Sequence, residues 1–427
     1  MIALHRTLFA LLALAPAALS AQAFLPPLEL ARQAIAAQPE VRAADARVSE
    51  ARERALALAA GPHDTVLSLA PTRRSVHDAP TPGGRAGYRE WEMQLSRAIR
   101  LPGKAALDRE SGAHAVAAAA LLHGDAEHQA ARLLLRQWMA WLQAQAASDL
   151  AQARAQAIAG ERAALARRVE LGDAARRELD QLDAELALAG AALREAQAEL
   201  EAAQLTLAAD FTTLPLPPRA PALPAPVALA ETGAQWTHRI IERSHEIRAA
   251  GELAAQRDAL AARARRERLP DPSIDLRSFA ERDGMERGIG ITLSIPLGNR
   301  RRAAEARAES AAAAAAHSEL AAMRRDIERE ARLDVAHALA AFDLWQAAAA
   351  ARTATAASVA RQRRAWELGE IGLAERLQAE RLDAEAALAE LRARVAAHAS
   401  QLRVQVDAHE LWHTGDDTAG HAPHDPS

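Results

Sequence analysis

The stretch MQLSRAIRLPGK at residues 93–104 returns, 198 residues later, as ITLSIPLGNRR at residues 291–301. A second pair of phrases, Glu170-Leu171-Gly172-Asp173 and Glu367-Leu368-Gly369-Glu370, recurs at an offset of 197. Extended without gaps, it sets Glu178 opposite Glu375, Gln181 opposite Gln378 and Asp183 opposite Glu380. Two independent phrases at nearly one offset mark an internal duplication. Whatever one half folds into, the other half must be able to fold into as well. The halves, residues 24–213 and 228–408, meet at LPLPPRAPALPAPV, residues 214–227, whose six prolines exclude helix and favour extended polyproline backbone.

Each half spells the same order: a helix, a short β-hairpin, then a very long helical stretch broken near Gly172 or Gly369. The first half reads as helical over about 28–60 and the second over about 229–268. TVLSLAP (65–71) and YREWEMQLSRAI (88–99) read as two strands of a hairpin over 64–99, joined by a polar loop at 72–87. Tyr88, Glu90, Glu92, Gln94 and Ser96 alternate with Arg89, Trp91, Met93, Leu95 and Arg97, the period of two expected of a half-exposed strand. The second hairpin, over 272–297, joins PSIDLRSFA to GIGITLSIPL; Ile289, Ile291, Leu293 and Ile295 face one way, Gly290, Thr292 and Ser294 the other. An apolar side opposite a small or polar side suits a membrane-barrel wall, with lipid outside and water within. It suits equally an ordinary sheet packed on helices.

The helices carry heptads. Leu179, Leu186, Leu193, Leu200 and Leu207 are accompanied by Leu182, Ala189, Ala196 and Ala203; in the second half Leu388, Val395 and Leu402 run with Leu377, Ala384, Leu391 and His398. A seam sustained over this length predicts coiled-coil packing. No proline interrupts residues 103–168, a run that could reach on the order of 100 Å as a helix. Half of the residues are apolar but only 3 % are aromatic, so the apolarity is mainly Ala and Leu, strong helix formers. A net charge of −4 gives no basic face for nucleic acid, and zero cysteine excludes disulfides and thiolate metal sites.

MIALHRTLFALLALAPAALSAQA, residues 1–23, has the form of an export signal, with His5 and Arg6 before an apolar run and Ala21-Gln22-Ala23 as a small-x-small cleavage site. No later segment offers about 18 consecutive apolar residues, so no membrane-spanning helix is expected. Four strands cannot close a barrel alone, and an open edge is intolerable in lipid, so a membrane reading demands several chains.

The phrases LSRAIRLPGKAALDR (95–109) and LSIPLGNRRR (293–302), with the paired ELGD and ELGE turns at repeat spacing, resemble the outer-membrane efflux protein family, the TolC-like channels. The resemblance covers about Leu28 to Asp407, and LPGK is most similar to the heavy-metal branch of CzcC and CusC type. It implies a mainly α fold, long antiparallel helices in a coiled-coil barrel with four strands per protomer, and a homotrimer closing a twelve-stranded barrel in the outer membrane. It also implies a helical tunnel in the periplasm, a periplasmic adaptor and a proton-driven inner-membrane pump as partners, and no cofactor. By the same resemblance Gly172, Asp173, Gly369 and Glu370 form the periplasmic tip where the adaptor docks, and Glu178, Glu375 and Gln378 line an aperture ring that attracts cations. The glycines read equally as helix C-caps and the acids as solvated flank charges. Trp366 and Ile371 stand where some relatives place gating contacts, but differ in chemistry from the polar partners expected there.

Lys104, Arg300, Arg301 and Arg302 follow the two barrel exits and read as anchors at lipid headgroups. His409, His413, His421 and His424, near Asp416, Asp417 and Asp425, are competent metal ligands, but the tail at 409–427 reads as disordered and no metal site is assigned. His398, on the heptad seam, reads as a packed or interface histidine. No phosphate loop, nucleophile elbow or HExxH is present, so no enzyme is expected. The sequence supports a passive export duct for heavy-metal cations, with drugs or other small molecules as alternative cargo. A periplasmic adaptor and a soluble coiled-coil protein are the competing classes.

Overall fold

A computed structural model describes residues 24–77, 85–298 and 300–413. The expected export signal, His421 and His424 lie outside the described residues. In chain order the elements are α1 (Leu28–Ala36), α2 (Pro39–Ala60), β1 (Val66–His77), β2 (Arg85–Ala98), α3 (Lys104–Glu170), α4 (Arg176–Asp210), α5 (Gly233–Arg243), α6 (His245–Glu267), β3 (Ser273–Glu281), β4 (Glu286–Ser294), α7 (Arg300–Glu367) and α8 (Leu373–Asp407). The second half repeats the first element for element. The long helices α3 and α7 have 67 and 68 residues, and α4 and α8 have 35 each. Among the described residues no helix is long and apolar enough to cross a membrane.

The opening helix of each half is in fact a pair. Pro39 starts α2, where its missing N–H falls among donors that lack a helical partner anyway. In the second half α5 stops at Ser244, and α6 begins at His245. Thr232 caps α5 in a capping box with Gln235: the Thr232 N–H donates to the Gln235 side chain at 3.0 Å, and the Gln235 N–H returns to the Thr232 hydroxyl at 3.4 Å.

The chain divides into two compact units, with boundaries inside α2, α3 and α7. The first holds residues up to Arg42, Ala126–Ser244 and the chain from Glu328 onward. Its main core gathers Ile35, Leu134, Leu142, Leu207, Phe211, Leu391 and Leu402 around two of the few aromatics, Trp138 and Trp141. Those indoles meet edge to face at 4.9 Å, and Trp138 donates to the Phe24 carbonyl at 2.8 Å. The proline joint lies along α8: Leu214 and Ala220 are buried, and the Pro224 carbonyl accepts from His398 at 2.9 Å. That contact explains a histidine on the seam, and burial pushes its pKa below the ordinary value, with the Pro224 bond opposing.

Of the α4 heptad positions, Leu179, Leu182, Ala189, Ala196 and Leu207 are buried and Leu186, Leu193, Leu200 and Ala203 half-buried. Helix α8 buries far more than its seam, because Leu391, Val395 and Leu402 join the main core while Val404 and Ala408 join Trp236, Ile240 and Val335 in another. A helix gripped on two sides shows no single stripe.

The second unit holds Ala43–Asp125 and His245–Ile327. Its helices pack through alanine: Ala118, Ala249, Ala254, Ala259 and Ala261 are each at most 3 % exposed. Its strands form one antiparallel sheet in the order β1-β2-β3-β4, leaving β1 and β4 as edges. The first hairpin is longer than its sequence pattern suggests. The ladder continues to His77 opposite Arg85, through residues expected to be loop, and Arg74 there pairs with Glu90 at 2.7 Å. Strand β4 stops at Ser294, two residues before Pro296, which has no N–H to offer a ladder.

Leu134, with no exposed surface, anchors the main core. Leu134→Ala is expected to cost about 2–5 kcal/mol, whereas Leu188→Ala at a 63 % exposed site should fall within about 0.5 kcal/mol of the parent. Thermal unfolding of the two variants side by side checks this.

Candidate functional site: sheet faces and helical tips

Residues paired across antiparallel strands share a face. Leu67, Leu95, Leu276 and Ile291 therefore form one row across all four strands, with Leu69, Met93, Ser278 and Ile289 beside it. A row through Pro71, Trp91 and Ala280 lies on one side of these, and one through Ile274 and Leu293 on the other. No helix covers this face: Leu69 is 67 %, Ile289 80 % and Ile291 76 % exposed. The opposite face carries Glu90, Glu92, Gln94, Ser96, Asp275 and Thr292. Its charges are tied across strands, Arg277 to Glu92 at 2.9 Å and Gln94 to Asp275 at 3.1 Å. Phe279 lies over Gly288, where an added Cβ would come within 2.5 Å of the ring. A sheet that is apolar and uncovered on one side, polar and cross-linked on the other, has the two-faced pattern of a membrane-barrel wall.

The turns between long helices are Schellman caps. Gly172 (φ +79°) donates to the Val169 carbonyl at 3.0 Å, and Asp173 to that of Arg168 at 2.8 Å. Gly369 (φ +75°) and Glu370 repeat this with Trp366 and Ala365, at 3.0 and 2.9 Å. The left-handed conformation calls for glycine here. Just beyond the caps, Leu373 and Leu377 pack with Leu179, Leu182, Ile158 and Leu165. Glu178 is half-buried, while Glu375 and Gln378 are exposed. The buried ion between them, Arg376, is 4 % exposed; it reaches Glu161 at 2.5 Å and lies over the Trp366 ring at 4.3 Å. Nearby Glu185, 2 % exposed, accepts from Arg381 and sits 3.6 Å from Arg154. Arg162 holds the Asp183 carboxyl below its ordinary range through a 2.7 Å hydrogen bond.

Solved structures share this arrangement. The outer-membrane channel OprN superposes with a TM-score of 0.72 at 19 % identity, covering 92 % of each chain. The Campylobacter jejuni CmeC outer membrane channel gives 0.72 at 14 %, over 93 % of this chain and 89 % of its own. CusC, whose structures describe transmembrane channel formation, gives 0.65 at 16 %, over 89 % and 91 %. No protein-family model matches the sequence, and no curated protein matches it.

The chain has the outer-membrane efflux-channel fold.

Within this channel fold two expectations need correcting. The stretch 409–413, expected to open a disordered tail, is ordered, because Leu411 and Trp412 are buried in the main core. Lys104 is not a headgroup anchor: its side chain is 1 % exposed, with Nζ 2.8 Å from Asp271 and 3.0 Å from Glu267. An ammonium buried at the start of α3 must be paired, and the end of α6 and the approach to β3 supply both carboxylates. Asp271 also accepts from His63 at 2.9 Å and from the Leu101 N–H at 2.9 Å. Burial alone would raise the Asp271 pKa, but these hydrogen bonds outweigh it and hold the group at about 2. The network extends through Arg263, which bonds Glu267 and reaches Asp108 at 2.8 Å, to Arg100, which bonds Asp108 at 3.0 Å and the Ala59 carbonyl at 2.7 Å.

Arg300 and Arg301 are exposed, Arg301 paired to Glu305 and Arg302 to the Gly298 carbonyl. His409 (φ +57°) takes the capping position after α8 that glycine usually fills, and its ring stacks on His413 at 4.3 Å. His128, 3.3 Å from Asp407, tilts against His409 at 5.4 Å. Sequence reasoning missed Arg376, Glu185, Asp271 and His128. Only Asp271, in an LPDP phrase just ahead of a strand, stood near a marked motif.

Two outcomes test these contacts. The folded Asp271 pKa lies below its ordinary 3.8, so its stabilisation is complete above about pH 4 and lost as pH falls toward 2. Asp271→Asn should cost about 3–5 kcal/mol near neutral pH by leaving Lys104 underpaired, and should flatten the acid limb of a melting-temperature profile. Arg376→Ala should raise amide hydrogen exchange in the first two turns of α8 at least tenfold, and leave the sheet unchanged.

Proposed function

We propose that the chain is the outer-membrane component of a tripartite efflux system, a passive duct from the periplasm to the exterior. The observation that carries this reading is the sheet: its apolar face is uncovered, its polar face is cross-linked, and β1 and β4 are both unpaired edges within the chain. Lipid cannot solvate those edges, so the sheet must close on further copies. Three copies of a four-stranded sheet make a twelve-stranded barrel, the assembly that the family resemblance implies. The two repeats, 24–213 and 228–408, would then each give a hairpin to the barrel and a long helical hairpin to a periplasmic tunnel.

On this reading Gly172, Asp173, Gly369 and Glu370 form the tip that meets a periplasmic adaptor coupled to an inner-membrane pump. Glu178, Glu375 and Gln378 contribute to an aperture favouring cations. The cargo is a heavy-metal cation, a choice resting on the LPGK phrase and its likeness to the heavy-metal branch of the family. Transport energy comes from the pump, since a duct only has to stay open to its cargo.

Fractionation tests the placement. The expected result is a heat-modifiable trimer, extractable by detergent from outer membranes; a chain recovered as a soluble monomer would sink the proposal. Deleting the gene should lower resistance to Co, Zn, Cd, Cu or Ag, and a change confined to drugs would reassign the cargo.

A further inference from the structure

The acids of the sheet keep to one face, while arginines occur on both. On the apolar face every charged residue from Arg97 up to the row of Arg73 and Arg89 is an arginine: Arg73, Arg89, Arg97 and Arg287. The acids of the strands, Glu90, Glu92, Asp275, Glu281 and Glu286, all lie on the polar face. Three of the four outward arginines gather where the strands approach their hairpin loops. Arg73 and Arg89 are direct cross-strand partners, and Arg287 stands one row nearer the helices, opposite Ala280.

Like charges set directly opposite on one face of an antiparallel pair lie with Cβ atoms about 5 Å apart and destabilise the pairing. The polar face shows how this chain treats arginines it intends to neutralise: Arg74 is bonded to Glu90 at 2.7 Å and Arg277 to Glu92 at 2.9 Å. Arg73, Arg89 and Arg287 are exposed, and among the described residues their guanidinium groups form no ion pair. Asp283 accepts from the Arg89 backbone N–H at 2.8 Å, but among the described residues it forms no ion pair with these guanidinium groups. An apolar band ending in such arginines calls for a counter-anion at the level where hydrocarbon stops.

We propose that Arg73, Arg89 and Arg287 form a binding site for the phosphate of a phosphorylated lipid headgroup in the outer leaflet. This rests on the membrane reading above. Guanidinium is suited to the task, because its planar fork bonds phosphate oxygens in pairs and keeps its charge beside lipid. A phosphate between Arg73 and Arg89 turns a repulsive cross-strand pair into a bridged one, while the acyl chains lie against Trp91, Met93 and Ile289 below. The site is one-sided: Arg97 stands alone at the other end of the band.

The test uses the full chain reconstituted in phosphatidylcholine vesicles doped with bisphosphorylated lipid A, with dephosphorylated lipid A in a parallel arm. Lipid retained after mild detergent extraction is counted by native mass spectrometry. The parent should keep lipid A, and Arg73→Gln/Arg89→Gln/Arg287→Gln should keep at least tenfold less. Arg97→Gln should bind as the parent does, which separates a built site from general positive charge. Equal retention by the triple variant, or equal retention of the dephosphorylated lipid, overturns the site. Displacement by millimolar inorganic phosphate overturns the lipid assignment in favour of a free anion. Insertion without phosphate selectivity would defeat this inference alone, whereas a chain that never enters vesicles would defeat the membrane reading with it.

Discussion

The unpaired backbone along the outer edges of β1 and β4 governs the rest of the molecule. Each edge presents N–H and C=O groups that water could satisfy and hydrocarbon could not. Were the apolar face packed under helices, two open edges would be an ordinary liability of a small sheet. Here that face is uncovered, with Leu69 67 % and Ile291 76 % exposed. The two observations reinforce each other: apolar exposure asks for lipid, and lipid forbids the edges. A closed assembly is the arrangement that satisfies both.

Duplication explains how a chain with so few strands reaches that solution. Each half supplies one hairpin, and α3 with α4 is matched by α7 with α8. The halves are nevertheless not equivalent. The junction below the sheet joins Arg100, Lys104 and Asp108 of the first half to Arg263, Glu267 and Asp271 of the second; among the described residues no such network follows β4, where Arg301 pairs with Glu305 and Arg302 with the Gly298 carbonyl. The difference lies in the exits themselves. Both exits pass through a left-handed glycine, Gly103 and Gly298, but LPGK puts its cation one residue later and buried, whereas LGNR puts exposed Arg300 two residues later.

Much of the fold was legible because it rests on periodicity. The strand faces follow from a period of two, the seam of α4 from a period of seven, and the duplication from bare repetition. The helical breaks at Gly172 and Gly369 were legible too, since the backbone there needs a residue without a Cβ. What escaped is what depends on partners distant in sequence. Arg376 and Glu185 carry no signal along their own helices, yet both are buried, because the tip brings α3, α4 and α8 together and no pattern along one helix records that. Lys104 read as a snorkelling anchor for the same reason: its carboxylates are 163 and 167 residues away. The breadth of the buried face on α8 was hidden by alanine, which is equally at home inside or outside a helix pair.

The buried ions bear on how Ala-rich helices hold together with few aromatic residues. Apolar contact between Ala-rich helices is thin, each alanine removing little area from water. Charged pairs such as Arg376 with Glu161, or Arg132 with Asp407 at 2.7 Å, add little net stability over a hydrophobic substitute, but they are strict about geometry. An Ala-on-Ala seam tolerates slippage by a heptad; a buried guanidinium that must find one carboxylate does not. Register in the long helices is therefore held by ions at a few fixed points, while alanine provides the close approach between them. The sheet divides the same labour by face, with ion pairs fixing register on the polar side and the apolar side left uncovered within the chain.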